Sequence, residues 1–176
     1  MYCNDCEEFW IAFLSLPQPS AFLGTGNVCI GSSRVDSIMI FREGVCPEWE
    51  DPANAEGGHF QFHWKPVGVT PGELDEYWNN IVLAMIGDTL ESEGEFAENP
   101  IIKGVRLVDK TSAVGKQAGI RIEVWHGKPQ DGRHLQKVRS RLERAMALHL
   151  DGSSGLIPRC DLRTHQGRSS TAPPVV

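Results

Sequence analysis

The sequence has no hydrophobic run long enough to cross a membrane. A membrane-spanning helix needs about 18 or more consecutive apolar residues, and no run of that length occurs in the chain. The first residues, MYCNDCEEFW, lack the basic segment followed by an apolar stretch that marks a secretory signal. We therefore expect no membrane partner, and a location in the cytoplasm with the nucleus as the alternative.

Familiar catalytic motifs are absent as well. The chain contains neither a GxSxG turn nor a P-loop. Its five cysteines have no framework spacing, so we expect free thiols. Cys3 and Cys6 form a CxxC, but a zinc site needs a second ligand pair and a redox site needs a thioredoxin-like setting. We expect no catalytic residue, metal or cofactor; the alternative is a small metalloenzyme that uses His59, His63 and a carboxylate.

Basic residues are scarce in the first hundred positions. Residues 1–100 contain 3 Lys/Arg and 17 Asp/Glu, a balance of −14, whereas residues 101–176 contain 14 and 6, a balance of +8. A basic half suggests a polyanionic partner, unless the two halves mix in the fold. A basic helix face within 133–150 fits either RNA contact or plain solvation.

Hydrophobic periodicity predicts an α+β domain. Helices are expected at residues 5–14, 70–86 and 133–150, and strands at 37–43, 59–64, 101–108 and 119–125 before a final strand. The second helix begins with the capping box TPGE, and Gly87 fits its C′ position. Residues 15–34, rich in Pro, Gly and Ser, predict a long loop. Because strands and helices do not alternate regularly, we expect an antiparallel sheet with helices on one face.

The segment CPEWEDPANAEGG, residues 46–58, places a tryptophan beside a carboxylate on a loop. The ring of Trp49 can stack on a nucleobase and attract a cation. Glu50 can accept both hydrogen bonds that guanine offers from N1–H and its N2 amino group. The pair suits a positively charged guanine such as N7-methylguanine. The alternative is that Trp49 folds back over the core and Glu50 is solvated.

Two arginines are expected near this segment. The strand GIRIEVW places Arg121 and Trp125 on its polar face, and Arg106 lies one strand away. Arginines in such a position could bind the phosphates of a nucleotide.

Taken in order, these motifs resemble the eukaryotic translation initiation factor 4E family of mRNA cap-binding proteins. The matching segments are EEFWIAF, IMIFREGVCPEWEDPANAEGG, LDEYWNNIVLAMIGD, GVRLV and IRIEVW. The resemblance implies an α+β fold, with a curved antiparallel β-sheet, about three helices on its convex face and a cap pocket on the concave side. It also implies a cap-binding domain at residues 1–166 and a flexible tail at 167–176.

The resemblance further implies that the chain binds the 7-methylguanosine cap of mRNA in translation initiation. The resemblance implies that Trp49 stacks on the base, that Glu50 hydrogen-bonds with its edge and that Trp125 contacts the N7-methyl group. It also implies that Arg106 and Arg121 bind the phosphates and that His165 lies at the rim of the pocket. On the helical side, the implied surface for an initiation factor 4G-type scaffold or a 4E-binding protein contains Trp10, Asn79, Gly87 and Asp88.

The chain also departs from the family pattern. The family stacks the base between two tryptophans, and the first lies upstream of the helix that contains Trp10. We therefore expect that upstream strands are missing, that the pocket has one stacking face, or that Phe22 supplies the second ring. His59 stands where the family has arginine, and Cys6 and Asn79 replace apolar residues on the partner surface. The alternative function is a divergent member with weak or lost cap binding that regulates translation through the Trp10 surface.

Overall fold

The computed structural model describes residues 2–24, 28–91 and 100–165. In chain order, its elements are α1 (Cys6–Ser15), α2 (Ser20–Gly24), β1 (Cys29–Ile30), β2 (Ser33–Arg34), β3 (Ser37–Phe41), α3 (Pro52–Ala55), β4 (Gly58–Trp64), α4 (Pro71–Ile86), β5 (Ile102–Asp109), β6 (Ile120–His126), α5 (Gly132–Ala147) and β7 (Cys160–Thr164). A single 3₁₀ turn at Gly115–Gln117 lies between β5 and β6.

Five strands form one curved antiparallel sheet in the order β3-β5-β6-β4-β7. The predicted hairpin is confirmed because β5 and β6 pair along their whole length. The three long helices α1, α4 and α5 contribute apolar side chains to one core together with the strands. The predicted α+β architecture is therefore confirmed.

The predicted long loop at 15–34 is wrong in two places. Helix α2 forms because Phe22 is buried in the core and because the backbone N–H and hydroxyl of Ser20 both donate to Asp75 of α4. The strands β1 and β2 form a small hairpin, whose tight turn uses the left-handed backbone of Gly31 at φ 63°. Contacts distant in sequence stabilise the helix, so local composition could not predict it.

Helix α4 begins and ends as predicted, but its C′ residue lies one position later than expected. The side chain of Thr70 accepts from the N–H of Glu73, and the Glu73 carboxylate accepts from the N–H of Thr70, which completes the capping box. At the other end Gly87 has an ordinary φ of −78°, and the left-handed residue is Asp88 at φ 54°. The N–H of Asp88 donates to Met85 and that of Thr89 to Ala84, the Schellman pattern. Asp88, which tolerates this conformation, therefore occupies the C′ position assigned to Gly87.

Helix α5 is shorter than predicted. It begins after Asp131, whose carboxylate accepts from the N–H of His134, and it ends at Ala147 rather than at residue 150. Beyond its end, the side chain of His149 and the N–H of Leu150 both bind the carboxylate of Glu76 on α4. Because these contacts bind residues 149 and 150 to α4, the chain leaves the helix after Ala147.

The core lies between the helices and one face of the sheet. Trp78 is buried there, as its helical stripe predicts. Phe22 is buried in the same core, so it cannot supply a second stacking ring on the opposite, concave face. Within the described residues, no helix has both the length and the apolar character needed to cross a bilayer.

Candidate functional site

Trp125 forms the centre of an aromatic cluster on the concave face of the sheet. Its ring centroid lies 5.5 Å from Phe41, 5.8 Å from His59 and 4.6 Å from His165. Phe41 and Trp125 can meet because Gly104 lies between them in register, and a Cβ there would lie 2.4 Å from Cγ of Phe41. The predicted placement of Trp125 beside Arg121 on one strand face agrees with this register. The side chain is, however, only 1% exposed.

The two histidines of the cluster have geometrically defined tautomers. Nδ1 of His165 lies 2.9 Å from the carbonyl oxygen of Asn54, and Nε2 lies 3.0 Å from Nδ1 of His59. A carbonyl only accepts, so Nδ1 of His165 carries a proton. When both rings are neutral, Nε2 of His165 accepts and His59 donates. His165, expected at a pocket rim, is instead buried over Trp125. A ligand can therefore contact Trp125 only if side chains packed against it, such as His165, move.

The loop that carries Trp49 is held by two residues that the sequence analysis missed. The carboxylate of Asp51 accepts from the N–H groups of Cys46 and Ala53, at 2.9 and 2.8 Å. The hydrogen bond from Cys46, followed by that from Ala53, lowers the pKa of Asp51. The side-chain amide of Asn54, which is fully buried, donates to the carbonyls of Cys46 and Glu48. The sequence Asp-Pro was an available signal, since Asp51 caps α3 and Pro52 occupies its first turn.

Trp49 and Glu50 extend from this braced loop. Trp49 is half-buried and is not among the described side chains that form the hydrophobic core or pack against it. Its ring centroid lies 6.5 Å from that of His165, with 32° between the planes. Glu50 is exposed. The structure thus places Trp49, His165 and Trp125 in one group, with the Glu50 carboxylate open to solvent beside it.

Two arginines share the concave face with this group. Arg106 and Arg121 are half-buried, and the Nε atom of each is buried without a hydrogen-bond partner among the residues that the structure describes. Nη1 of Arg121 lies 3.9 Å from the carboxylate of Glu123, which also pairs in register with Arg106. Buried donors without partners are uncommon in folded proteins. The pair therefore has capacity to bind an added acceptor.

The proposed partner surface lies on the helices. Trp10 is half-buried and contacts Phe9 and Phe13, while Asn79 is half-buried and Gly87 and Asp88 are exposed. Four large apolar side chains outside the predicted surface are exposed on α1 and α4, namely Ile11, Leu14, Leu83 and Ile86. Helical spacing could have identified Leu83 and Ile86, because both share a face of α4 with Asn79.

Cysteine and histidine chemistry outside this group is limited. All five cysteines are free thiols, as predicted, and burial raises the pKa of Cys160 to about 11. His63, considered earlier as a metal ligand, donates from Nε2 to the carbonyl of Ala118 at 3.0 Å. Among residues 2–24, 28–91 and 100–165, no three His, Cys, Asp or Glu side chains are arranged to hold a metal ion.

Comparison with known proteins supports the resemblance found in the sequence. The family profile described as Eukaryotic initiation factor 4E matches residues 1–163. The Eukaryotic translation initiation factor 4E of Candida albicans is 32% identical over 146 residues, which cover 83% of this chain and 59% of the relative. The chain spans about half to three fifths of the length of the curated relatives it matches.

Two solved structures share the fold. One is Ascaris suum eIF4E-3 with the m2,2,7G cap, at TM-score 0.65 and 18% identity, covering 98% of this chain and 81% of that one. The other is Schistosome eIF4E complexed with m7GpppG and 4E-BP, at TM-score 0.62 and 15% identity, covering 96% and 77%. At these identities the likeness concerns the fold alone, whereas the profile match extends over nearly the whole chain. The chain belongs to the eukaryotic initiation factor 4E family.

Proposed function

We propose that this chain binds the 7-methylguanosine cap of mRNA in translation initiation, as a binding protein located in the cytoplasm. The observation that carries the proposal is the concave face. The loop of Trp49 and Glu50 lies on the same face as two half-buried arginines whose Nε atoms have no partner in the described part of the chain. Family membership and the capped ligands of the two solved structures support it.

The recognition would combine three interactions. The ring of Trp49 stacks on the methylated base, whose positive charge adds a cation–π attraction. The exposed carboxylate of Glu50 accepts from N1–H and the N2 amino group of guanine. Arg106 and Arg121 bind the phosphates through charge-assisted hydrogen bonds. Contact between Trp125 and the N7-methyl group would require displacement of His165, which covers it.

A tryptophan-fluorescence titration tests the proposal. The ligands are 7-methyl-GTP and, as a control for the methyl group, GTP. We expect strong quenching by 7-methyl-GTP and weak quenching by GTP. Trp49→Ala should lose the quenching by 7-methyl-GTP. Trp10→Ala removes a tryptophan on the helical side and should retain the response. Equal weak responses to both ligands in the unmodified chain would contradict cap binding.

A second function is favoured by the burial of Trp125 and by the exposed apolar side chains of α1 and α4. In this alternative the chain binds caps weakly and regulates translation through the surface around Trp10. The partner would be an initiation factor 4G-type scaffold or a 4E-binding protein, as the 4E-BP in the Schistosome complex suggests.

A further inference from the structure

A buried carboxylate lies among the cations of the concave face. Glu123 on β6 is 6% exposed and shares its strand face with Arg121 and Trp125. Its Oε2 accepts a 3.3 Å hydrogen bond from Nε1 of Trp125, and its Oε1 lies 3.9 Å from Nη1 of Arg121. On the neighbouring strand β5, the residue paired with Glu123 is Arg106. One carboxylate therefore contacts the aromatic cluster and borders both arginines.

A negative charge at this position opposes the binding of phosphate. Arg106 and Arg121 supply two positive charges, and Glu123 offsets one of them within the same cluster. Burial keeps the carboxylate from being screened by salt as a surface charge would be. A triphosphate bound by the arginines would lie close to a like charge, and the repulsion grows with each phosphate charge added.

We infer that Glu123 is a specificity-determining residue of the concave site, an inference that rests on the proposed cap-binding function. It orients the Trp125 ring through the indole N–H and holds Arg121 when no ligand is bound. Its charge reduces the difference in binding affinity between a ligand with three phosphates and a ligand with one. The unmodified site therefore discriminates less between 7-methyl-GTP and 7-methyl-GMP than the two arginines alone would.

The substitution Glu123→Gln separates these two roles. Glutamine retains an oxygen acceptor for the indole N–H of Trp125 but removes the negative charge. We expect the affinity for 7-methyl-GTP to rise about tenfold, which corresponds to the loss of one nearby like charge. The affinity for 7-methylguanosine, which has no phosphate and a positively charged base, should not rise. The dependence of 7-methyl-GTP binding on salt should become steeper, because the cations are no longer partly neutralised.

A second variant tests the orienting role. Glu123→Ala removes both the charge and the acceptor of the Trp125 N–H, so 7-methylguanosine should bind more weakly than in Glu123→Gln. Near-ultraviolet circular dichroism should show a change in the tryptophan signal of Glu123→Ala but not of Glu123→Gln. Equal nucleoside affinities and equal spectra for the two variants would contradict the orienting role.

Asp161→Asn is the matched charge control. Asp161 lies on β7 opposite Gln61, which in turn pairs with Glu123, so the two carboxylates share one row of the sheet two strands apart. Two strands correspond to about 10 Å, close to the screening length at physiological salt. The carboxylate of Asp161 forms ion pairs with Arg159 and Arg163, as that of Glu123 does with Arg121. Its neutralisation should leave the preference for 7-methyl-GTP over 7-methyl-GMP unchanged.

Inorganic triphosphate measures the charge effect without the base. Glu123→Gln should bind it about tenfold more tightly than the unmodified chain or Asp161→Asn. That result, together with indistinguishable binding of 7-methyl-GTP and GTP, would refute the proposed function and leave the role of Glu123 standing. Equal affinities of all three proteins for triphosphate and for 7-methyl-GTP would overturn the inference.

Discussion

At the scale of single residues, burial changes the chemistry of His126. Its side chain is 3% exposed, packs against the ring of Phe60 at 5.3 Å, and donates from Nδ1 to the carbonyl of Gly127. Loss of solvation lowers its pKa to about 4, although the hydrogen bond to Gly127 acts in the opposite direction. The folded chain therefore keeps this imidazole neutral at pH values where the unfolded chain protonates it.

The shifted pKa of His126 predicts acid sensitivity. Between pH 6.5 and about 4 the unfolded chain binds one more proton than the folded chain, so the free energy of unfolding falls as the pH falls. This residue alone should account for up to about 3 kcal/mol of that loss. We predict that His126→Gln flattens the dependence of stability on pH in this interval, as measured by urea unfolding at several pH values. An unchanged slope would contradict the assignment to His126.

His149 provides a control of opposite sign. The hydrogen bond that His149 donates to Glu76 raises the pKa of His149, so its stabilising contribution is fully present below pH 6.5 and is lost as the pH rises through the higher folded value. The pKa of Glu76 is lowered by the same contact, so the carboxylate's contribution is lost as the pH falls below about 4.5 through its folded value. His149→Gln should therefore abolish a loss of stability that occurs as the pH rises above 6.5, and it should leave the slope between pH 6.5 and 5 nearly unchanged, whereas His126→Gln flattens that slope.

At the scale of elements, β5 depends on one glycine. A Cβ on Gly104 would lie 2.4 Å from Cγ of Phe41 and 2.6 Å from the carbonyl oxygen of Ile40 on β3. The second of these atoms belongs to the backbone of a paired strand and cannot rotate away. The absence of a side chain at Gly104 therefore allows β3 and β5 to pair while Phe41 reaches Trp125.

We predict that Gly104→Ala lowers the free energy of unfolding by about 1–3 kcal/mol, the usual cost of overpacking. Gly72→Ala is the matched control, because a Cβ there meets nothing within 4 Å and the residue lies in the first turn of α4. Alanine should stabilise that helix by up to about 1 kcal/mol. Urea unfolding of both variants checks the expectation. Equal effects of the two substitutions would show that the approach of Phe41 is not what requires glycine.

At the scale of the whole molecule, the sheet separates two surfaces. The Trp49 loop and the two arginines belong to the concave side, whereas Trp10 and Leu83 lie on helices that pack against the other face. The proposed cap site and the proposed partner surface therefore share no side chains. Substitutions on one side should leave binding on the other side intact, provided that the fold is preserved.

We predict that a substitution on either surface weakens the binding of one ligand and leaves the binding of the other unchanged. Leu83→Ala, at an exposed position of α4, should weaken a synthetic helical peptide of the 4E-binding type about tenfold, the loss of one buried leucine contact. The same variant should keep its response to 7-methyl-GTP, and Trp49→Ala should show the reverse. Fluorescence anisotropy of the labelled peptide and quenching by the nucleotide measure the two arms. If Leu83→Ala left peptide binding unchanged, the partner surface would have to lie elsewhere.

The local pattern of the sequence determined the main elements. The alternation in β4, the capping box at Thr70 and the apolar stripe around Trp78 depend on neighbours within a few residues, and each predicted element is present. The motifs from EEFWIAF to IRIEVW also indicated the family, because several separate segments of the chain match the family pattern in the same order.

Only the tertiary structure decided how the candidate site is assembled. His165, forty positions away, packs against the buried ring of Trp125, and the fully buried side chain of Asn54 braces the Trp49 loop. The carboxylate of Glu123 lies near Arg106 only because the pairing of β5 with β6 places the two residues opposite each other. Burial and long-range hydrogen bonding are properties of side chains brought together by folding. Periodicity reports only which face of its own element a residue occupies.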